Sequence, residues 1–75
     1  MRQHVLHQYL STPVGMDCNF YPVSGSFDDL KRFNEEAMPY IKALVNMGRI
    51  GRLTRHEEHQ TGYHFFDWVF AKRLV

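Results

Sequence analysis

Residues 40–50, Tyr-Ile-Lys-Ala-Leu-Val-Asn-Met-Gly-Arg-Ile, decide how this chain is read. Ile41, Leu44 and Val45 recur at helical spacing, so one face of a helix is apolar. Gly48 stands where that helix stops, because glycine takes the left-handed cap conformation at no steric cost. Arg49 and Ile50 restart the chain as a strand. A helix that ends in glycine and passes at once into a basic strand sets the frame for the residues on either side.

Upstream, Phe27, Leu30, Phe33 and Ala37 form an apolar stripe that Ile41, Leu44 and Val45 continue. Ser26 opens it. Its hydroxyl is placed to accept from the amide near Asp29, and Asp28 and Asp29 sit at the positive end of the helix dipole. Asp28 and Arg32 are spaced for an i, i+4 pair worth about 0.2–0.5 kcal/mol. Pro39 interrupts the pattern, since its ring meets the carbonyl of Glu35 and its nitrogen has no hydrogen to donate. Either one helix over Phe27–Met47 kinks at Pro39, or two helices meet near Asn34–Met38 with Pro39 in the first turn of the second. The stripe favours the first and the proline the second; the reading leans to two helices.

Downstream, residues 49–73 read as a hairpin. Arg49–Arg55 is the first strand, with Gly51 as the natural bulge residue that lets Ile50 and Leu53 share a face. His56–Gly62 is a polar loop. Tyr63–Ala71, rich in aromatic and β-branched residues, is the second strand. Alternation puts His64, Phe66, Trp68 and Phe70 on one face, and Tyr63, Phe65, Asp67 and Val69 on the other. At the other end of the chain, Val5, Leu6, Tyr9 and Leu10 share one face of a short helix within residues 2–11, ending before Pro13. Residues 12–26 carry the loop chemistry, with a short strand at Cys18–Tyr21 that Pro22 limits.

The expected order is helix, short strand, helix, helix, strand, loop, strand. That is an α+β domain over residues 1–75, with helices packed on a C-terminal β-hairpin. The alternative is ββαββ, with residues 4–10 and 18–23 as a hairpin before one long helix on a four-stranded sheet. Seventy-five residues make one domain. A core of that size supplies roughly 3–5 kcal/mol of net stability, which leaves little room for a deep pocket as well. The 15% aromatic content argues against disorder, because large rings supply the burial that disordered chains lack. Nine Lys and Arg against eight Asp and Glu leave a net charge of +1, so any basic surface must come from clustering. A lone Cys18 cannot form an internal disulfide, and a reducing cytosol is the simpler setting, so a cytoplasmic location is expected. Residues 1–10 contain no apolar run long enough for a signal peptide or a membrane span.

Ile41-Lys42-Ala43-Leu44, three residues, Gly48, one residue, Ile50 resembles the end of the recognition helix and entry to the wing in winged-helix regulators. The resemblance covers roughly residues 40–70. It implies that the helix ending at Met47 faces a partner, that His56–Gly62 is the wing, and that Arg49, Arg52 and Arg55 flank it. The sequence departs from the DNA-reading form of that family. The exposed helix candidates are Glu35, Glu36, Lys42 and Asn46, and the loop carries Glu57 and Glu58, where carboxylates would oppose phosphate.

Several residue sets are candidates for a site. Arg49, Arg52 and Arg55, with Lys72 and Arg73 nearby if the strands pair, form a basic stripe beside Tyr63 and Trp68. Such a stripe can hold nucleic-acid backbone and stack bases. The same charges also protect an exposed strand edge, and the acidic loop beside them weighs towards that plainer role. His4, His7, His56, His59 and His64, with Cys18, invite a zinc reading. Zinc needs four converging ligands, and structural sites normally use several cysteines, so independent histidines and no metal or cofactor are expected. Cys18 with His4 or His7, and Glu57, Glu58 and His59, can be drawn as catalytic sets, but no phosphate loop or paired-carboxylate motif accompanies them. The chain is expected not to be an enzyme, and Cys18 to be a buried structural thiol. Phe65, Phe66, Trp68, Phe70 and Tyr63 exceed what one small core can hold. Any exposed remainder would be a protein-binding hot spot or a homodimer seam.

The functional expectation is a non-catalytic binding module that docks on a larger protein complex as a small inhibitor or adaptor, of the kind a virus or mobile element makes. The alternative is a winged-helix DNA-binding regulator that uses Arg49, Arg52, Arg55 and Lys42.

Overall fold

A computed structural model describes all 75 residues. The chain forms α1 (Arg2–Leu10), β1 (Asp17–Phe20), α2 (Phe27–Arg32), a π-helical turn (Phe33–Ala37), α3 (Met38–Asn46), β2 (Thr54–Glu57) and β3 (Phe66–Lys72). The strands make one antiparallel sheet in the order β1-β3-β2. It is a small α+β domain with a C-terminal hairpin, as expected. Residues 2–10 are helical and the sheet has three strands, so the ββαββ alternative is not adopted. No helix is long and apolar enough to cross a membrane.

The apolar stripe from Phe27 onwards forms a single helical run, and the lean towards two separate helices is corrected. Arg32, Phe33, Ala37 and Met38 all keep right-handed helical dihedrals. Pro39 is accommodated by the π turn ahead of it, where the Met38 amide donates to Phe33 O, five residues back. Widening the helix by one residue removes the need for an amide hydrogen at Pro39 and relieves the clash of its ring with the preceding turn. Ser26 caps the run as read, its Oγ accepting from the Asp29 amide at 3.2 Å. Asp29 instead accepts from the Ser24 hydroxyl at 2.6 Å. The anticipated Asp28–Arg32 pair is replaced by Arg32–Glu36 at 3.1 Å and Lys31–Glu35 at 3.9 Å.

The core lies between the helices and one face of the sheet. Val5 and Tyr9 from α1, Phe33, Ala37, Ile41 and Leu44 from the long helical run, and Cys18, Phe20, Val69 and Ala71 from the sheet are all buried. Burial pushes the Cys18 thiol above its ordinary value, partly offset by a hydrogen bond with Thr12 and the charge of Arg73. A buried thiol held protonated is a poor nucleophile.

The hairpin differs from the sequence reading in register. Arg49–Leu53 is not a paired strand; only Ile50 bridges to Arg73, and β2 begins at Thr54. The bulge falls between His56 and Glu57 instead of at Gly51. This shift flips the faces at the start of β3. Phe66 packs against the core, while Trp68 and Phe70 lie on the outer face. The connecting loop runs over 58–65, so Tyr63, His64 and Phe65 precede the strand.

Candidate functional site

Gly48, at φ +72°, reverses the chain after α3. The Gly48 amide donates to Val45 O at 3.0 Å and the Arg49 amide to Leu44 O at 3.0 Å, a Schellman cap. The reversal carries residues 52–55 back along the helix. On α3, Lys42, Val45 and Asn46 stand at i, i+3 and i+4, so they share one face. That face and the returning segment enclose a groove of about 680 Å³, lined by Lys42, Val45, Asn46, Arg52, Leu53 and Arg55. It is open to solvent and has an apolar floor of half-buried Val45 and Leu53.

Three of the expected cations, Lys42, Arg52 and Arg55, therefore converge. None makes an ion pair, and no carboxylate lines the groove. Arg55 is partly steered by the Phe66 ring, 5.7 Å from its guanidinium carbon. Arg49 is exposed but does not line the groove. Lys72 is exposed on the outer sheet face, opposite Asp17.

Arg73, also among the expected cations, is engaged within the fold. Its Nη1 donates to the carbonyls of Thr12 at 2.7 Å, Tyr9 at 3.3 Å and Leu10 at 3.4 Å. Its guanidinium carbon lies 4.5 Å from the centre of the Tyr9 ring. The charge closes the carbonyl end of α1, the end of a helix that favours a cation.

Tyr63 and Trp68 belong to two separate aromatic groups. Tyr63 stacks on Phe65 at 5.5 Å and meets Phe27 edge-on at 5.5 Å. Trp68 packs on Phe70 at 4.9 Å and donates from Nε1 to Asn19 Oδ1 at 3.1 Å.

The carboxylates that opposed a phosphate ligand in the sequence are engaged elsewhere. Glu35 and Glu36 pair with Lys31 and Arg32, and Glu57 lies 3.8 Å from His64. Glu58 is buried, its Oε1 accepting from the Thr61 amide at 3.0 Å. A second, smaller cleft of about 340 Å³ gathers His56, Glu57, Glu58, His59 and Asp67. His56 Nδ1 lies 2.6 Å from Asp67 Oδ1 there, but no three His, Cys, Asp or Glu side chains converge as ligands for a metal ion.

Sequence reasoning placed Lys42, Arg52 and Arg55 in the candidate set but left out Val45 and Leu53, the floor that makes the groove. In the sequence Val45 reads as part of the core stripe, and Leu53 as part of a strand that does not form. Comparison with protein-family models, with curated proteins and with solved structures gives no match for this chain.

Proposed function

We propose that the chain is a non-catalytic module that binds nucleic acid through backbone phosphates held in the Lys42–Arg52–Arg55 groove. One observation carries the reading: three unpaired cations line one groove from which carboxylates are absent. Asn46 on the same rim adds a neutral donor. Of the acidic residues that weighed towards a protein partner, Glu58 is buried, while Glu35, Glu36 and Glu57 stay exposed beside Lys31, Arg32 and His64 and lie outside the groove lining. The order of helices and strands is consistent with the winged-helix resemblance. The chain, however, passes from α2 to α3 through a π turn with no break in the helix. The proposal therefore rests on the groove and not on the resemblance.

Anisotropy of labelled duplex and single-stranded oligonucleotides tests it. About three phosphate contacts give a log–log salt slope of about −2 to −3. Arg52→Glu with Arg55→Glu abolishes binding. Absence of binding at low salt to either form of nucleic acid refutes the reading.

The leading expectation from the sequence, docking on a larger protein as an inhibitor or adaptor, keeps one specific support. Phe27 and Tyr63 remain 43% and 67% exposed and form a cluster with Phe65 away from the core. Exposed aromatic clusters of this kind serve as protein-binding anchors. On that reading Tyr63→Ser, and not the arginine reversals, removes partner capture.

A further inference from the structure

We infer that the outer face of the sheet is a stacking platform for the bases of single-stranded nucleic acid, with the basic groove holding the same strand's phosphates. The inference rests on the nucleic-acid reading above and adds the form of nucleic acid preferred.

The platform is built on β3, the central strand. Val69 and Ala71 point into the core, so Trp68, Phe70 and Lys72 point away from it. The helices cover only the core side. Trp68 is 39% exposed. Its indole reaches across to β1, where Asn19 Oδ1 accepts its N–H, and this bond holds the ring in one orientation. A ring fixed before binding loses little freedom when a base stacks on it. Phe70 lies beside it at 4.9 Å with a tilt of 32°. Around the two rings stand Asn19, Thr54 and His56, the last held by Asp67 Oδ1 at 2.6 Å, with Asp17 further along the same face opposite Lys72. Two adjacent aromatic rings bordered by polar groups suit bases, which offer a π face and polar edges to any partner.

The groove and the platform meet along β2. This is an edge strand on which Arg55 faces the groove while its neighbours Thr54 and His56 face outwards. A strand of nucleic acid that wraps this edge can set phosphates on Arg52 and Arg55 and bases on Trp68 and Phe70. Duplex DNA cannot use both surfaces, because its bases are already stacked.

A second copy of the chain is a poorer occupant. Three strands about 4.8 Å apart and a few residues long give a face of roughly 250–300 Å² in plan. A stable interface needs about 800 Å² from each partner.

Trp68 is the only tryptophan, so its emission reports on the platform directly. The experiment titrates the whole chain with a short oligothymidylate and with a duplex of random sequence, following Trp68 emission and, in parallel, anisotropy of the labelled oligonucleotides. Saturable quenching by oligothymidylate is expected, with little by duplex. Trp68→Leu and Phe70→Leu each weaken oligothymidylate about tenfold and leave duplex affinity unchanged. Wild-type quenching needs no variant to fold. If oligothymidylate binds and responds to Arg52→Glu/Arg55→Glu, yet Trp68 emission is unchanged and the two leucine variants bind normally, the platform is refuted and the groove stands. If duplex quenches Trp68 as strongly as oligothymidylate, the single-strand preference is refuted. If neither oligonucleotide binds at low salt, both proposals fail.

Discussion

The carboxamide of Asn34 pairs with both backbone polar groups of Phe66. Its Nδ2 donates to Phe66 O at 3.0 Å, and the Phe66 amide donates to its Oδ1 at 2.8 Å. β3 outruns β1, whose last paired residue, Phe20, lies opposite Val69. Phe66 pairs with Glu57 on one side only, and a helix side chain supplies what a neighbouring strand would supply on the other. Asn34 lies within the π turn, and the same Nδ2 also donates to Leu30 O at 2.8 Å. The irregular turn that accommodates Pro39 is thus also where the helical run is tied to the sheet.

Asn34→Ala leaves both Phe66 groups without their partner. A part-buried group that loses its hydrogen bond costs about 1–3 kcal/mol. In a domain of about 3–5 kcal/mol that is a large share. The thermal midpoint by circular dichroism should fall by at least about 5 °C. Asn34→Asp keeps the acceptor for the Phe66 amide but sets a carboxylate oxygen against the Phe66 and Leu30 carbonyls, so at neutral pH it should fall at least as far as Asn34→Ala. A midpoint unchanged in Asn34→Ala would mean that the π turn is held by Pro39 alone.

Gly48→Ala isolates backbone strain from crowding. A Cβ at Gly48 would meet nothing within 4 Å, yet the residue sits at φ +72°. The cost is therefore conformational, about 1 kcal/mol, and Gly48→Asn should cost less because asparagine tolerates that region better. Urea titration of the three proteins checks the order. Equal stability of the alanine and asparagine variants would argue against a left-handed cap.

Arg73→Lys should not behave as a conservative change. Lysine carries the charge, but it cannot donate to the Thr12 and Tyr9 carbonyls from one nitrogen and to Val75 O from another, as Nη1 and Nε do, while lying flat over the Tyr9 ring. We expect a loss of about 1–3 kcal/mol in stability. Oligonucleotide affinity, measured where the variant is fully folded, should stay within about twofold of wild type, in contrast to Arg52 and Arg55. A selective loss of affinity without a loss of stability would return Arg73 to the binding surface.

Legibility in the sequence followed the range of the interactions. The Ser26 cap, the stripe from Leu30 to Leu44 and the stop at Gly48 depend on neighbours within one or two turns, and the sequence shows them; Phe27 and Val45, at the ends of the stripe, lie instead in the exposed aromatic cluster and the groove. The run through Pro39 it does not show. A proline alone cannot show whether a helix breaks or widens, and the decision involves Asn34 bonding to a strand 32 residues away. The faces of β3 were misread for a related reason. A bulge at His56–Glu57 moves the alternation by one residue, and no glycine marks it. At the site, charges could be counted but not located. Arg52, Arg55 and Arg73 look alike in the chain, and only packing shows that two face solvent while the third binds carbonyls.

Glu58 makes the acid stability of the hairpin loop testable. Its carboxylate is held below its ordinary value of 4.5, chiefly by Thr61, whose side chain lies beside it and whose amide donates to Oε1 at 3.0 Å. Desolvation opposes this, while the Thr61 and Phe65 backbone and the charge of His64 add to it. The folded state therefore favours the ionised form more than the unfolded state does. This contribution is complete above the ordinary value and disappears as pH falls through the lower folded value. Glu58→Gln should be less stable than wild type at neutral pH, with the gap in urea midpoint closing below about pH 4 as wild type loses its advantage. Thr61→Ala removes the largest cause and should shrink the same gap at neutral pH. A difference between wild type and Glu58→Gln that stays constant from neutral to acid pH would show that the carboxylate's charge contributes nothing, leaving Glu58 as packing alone.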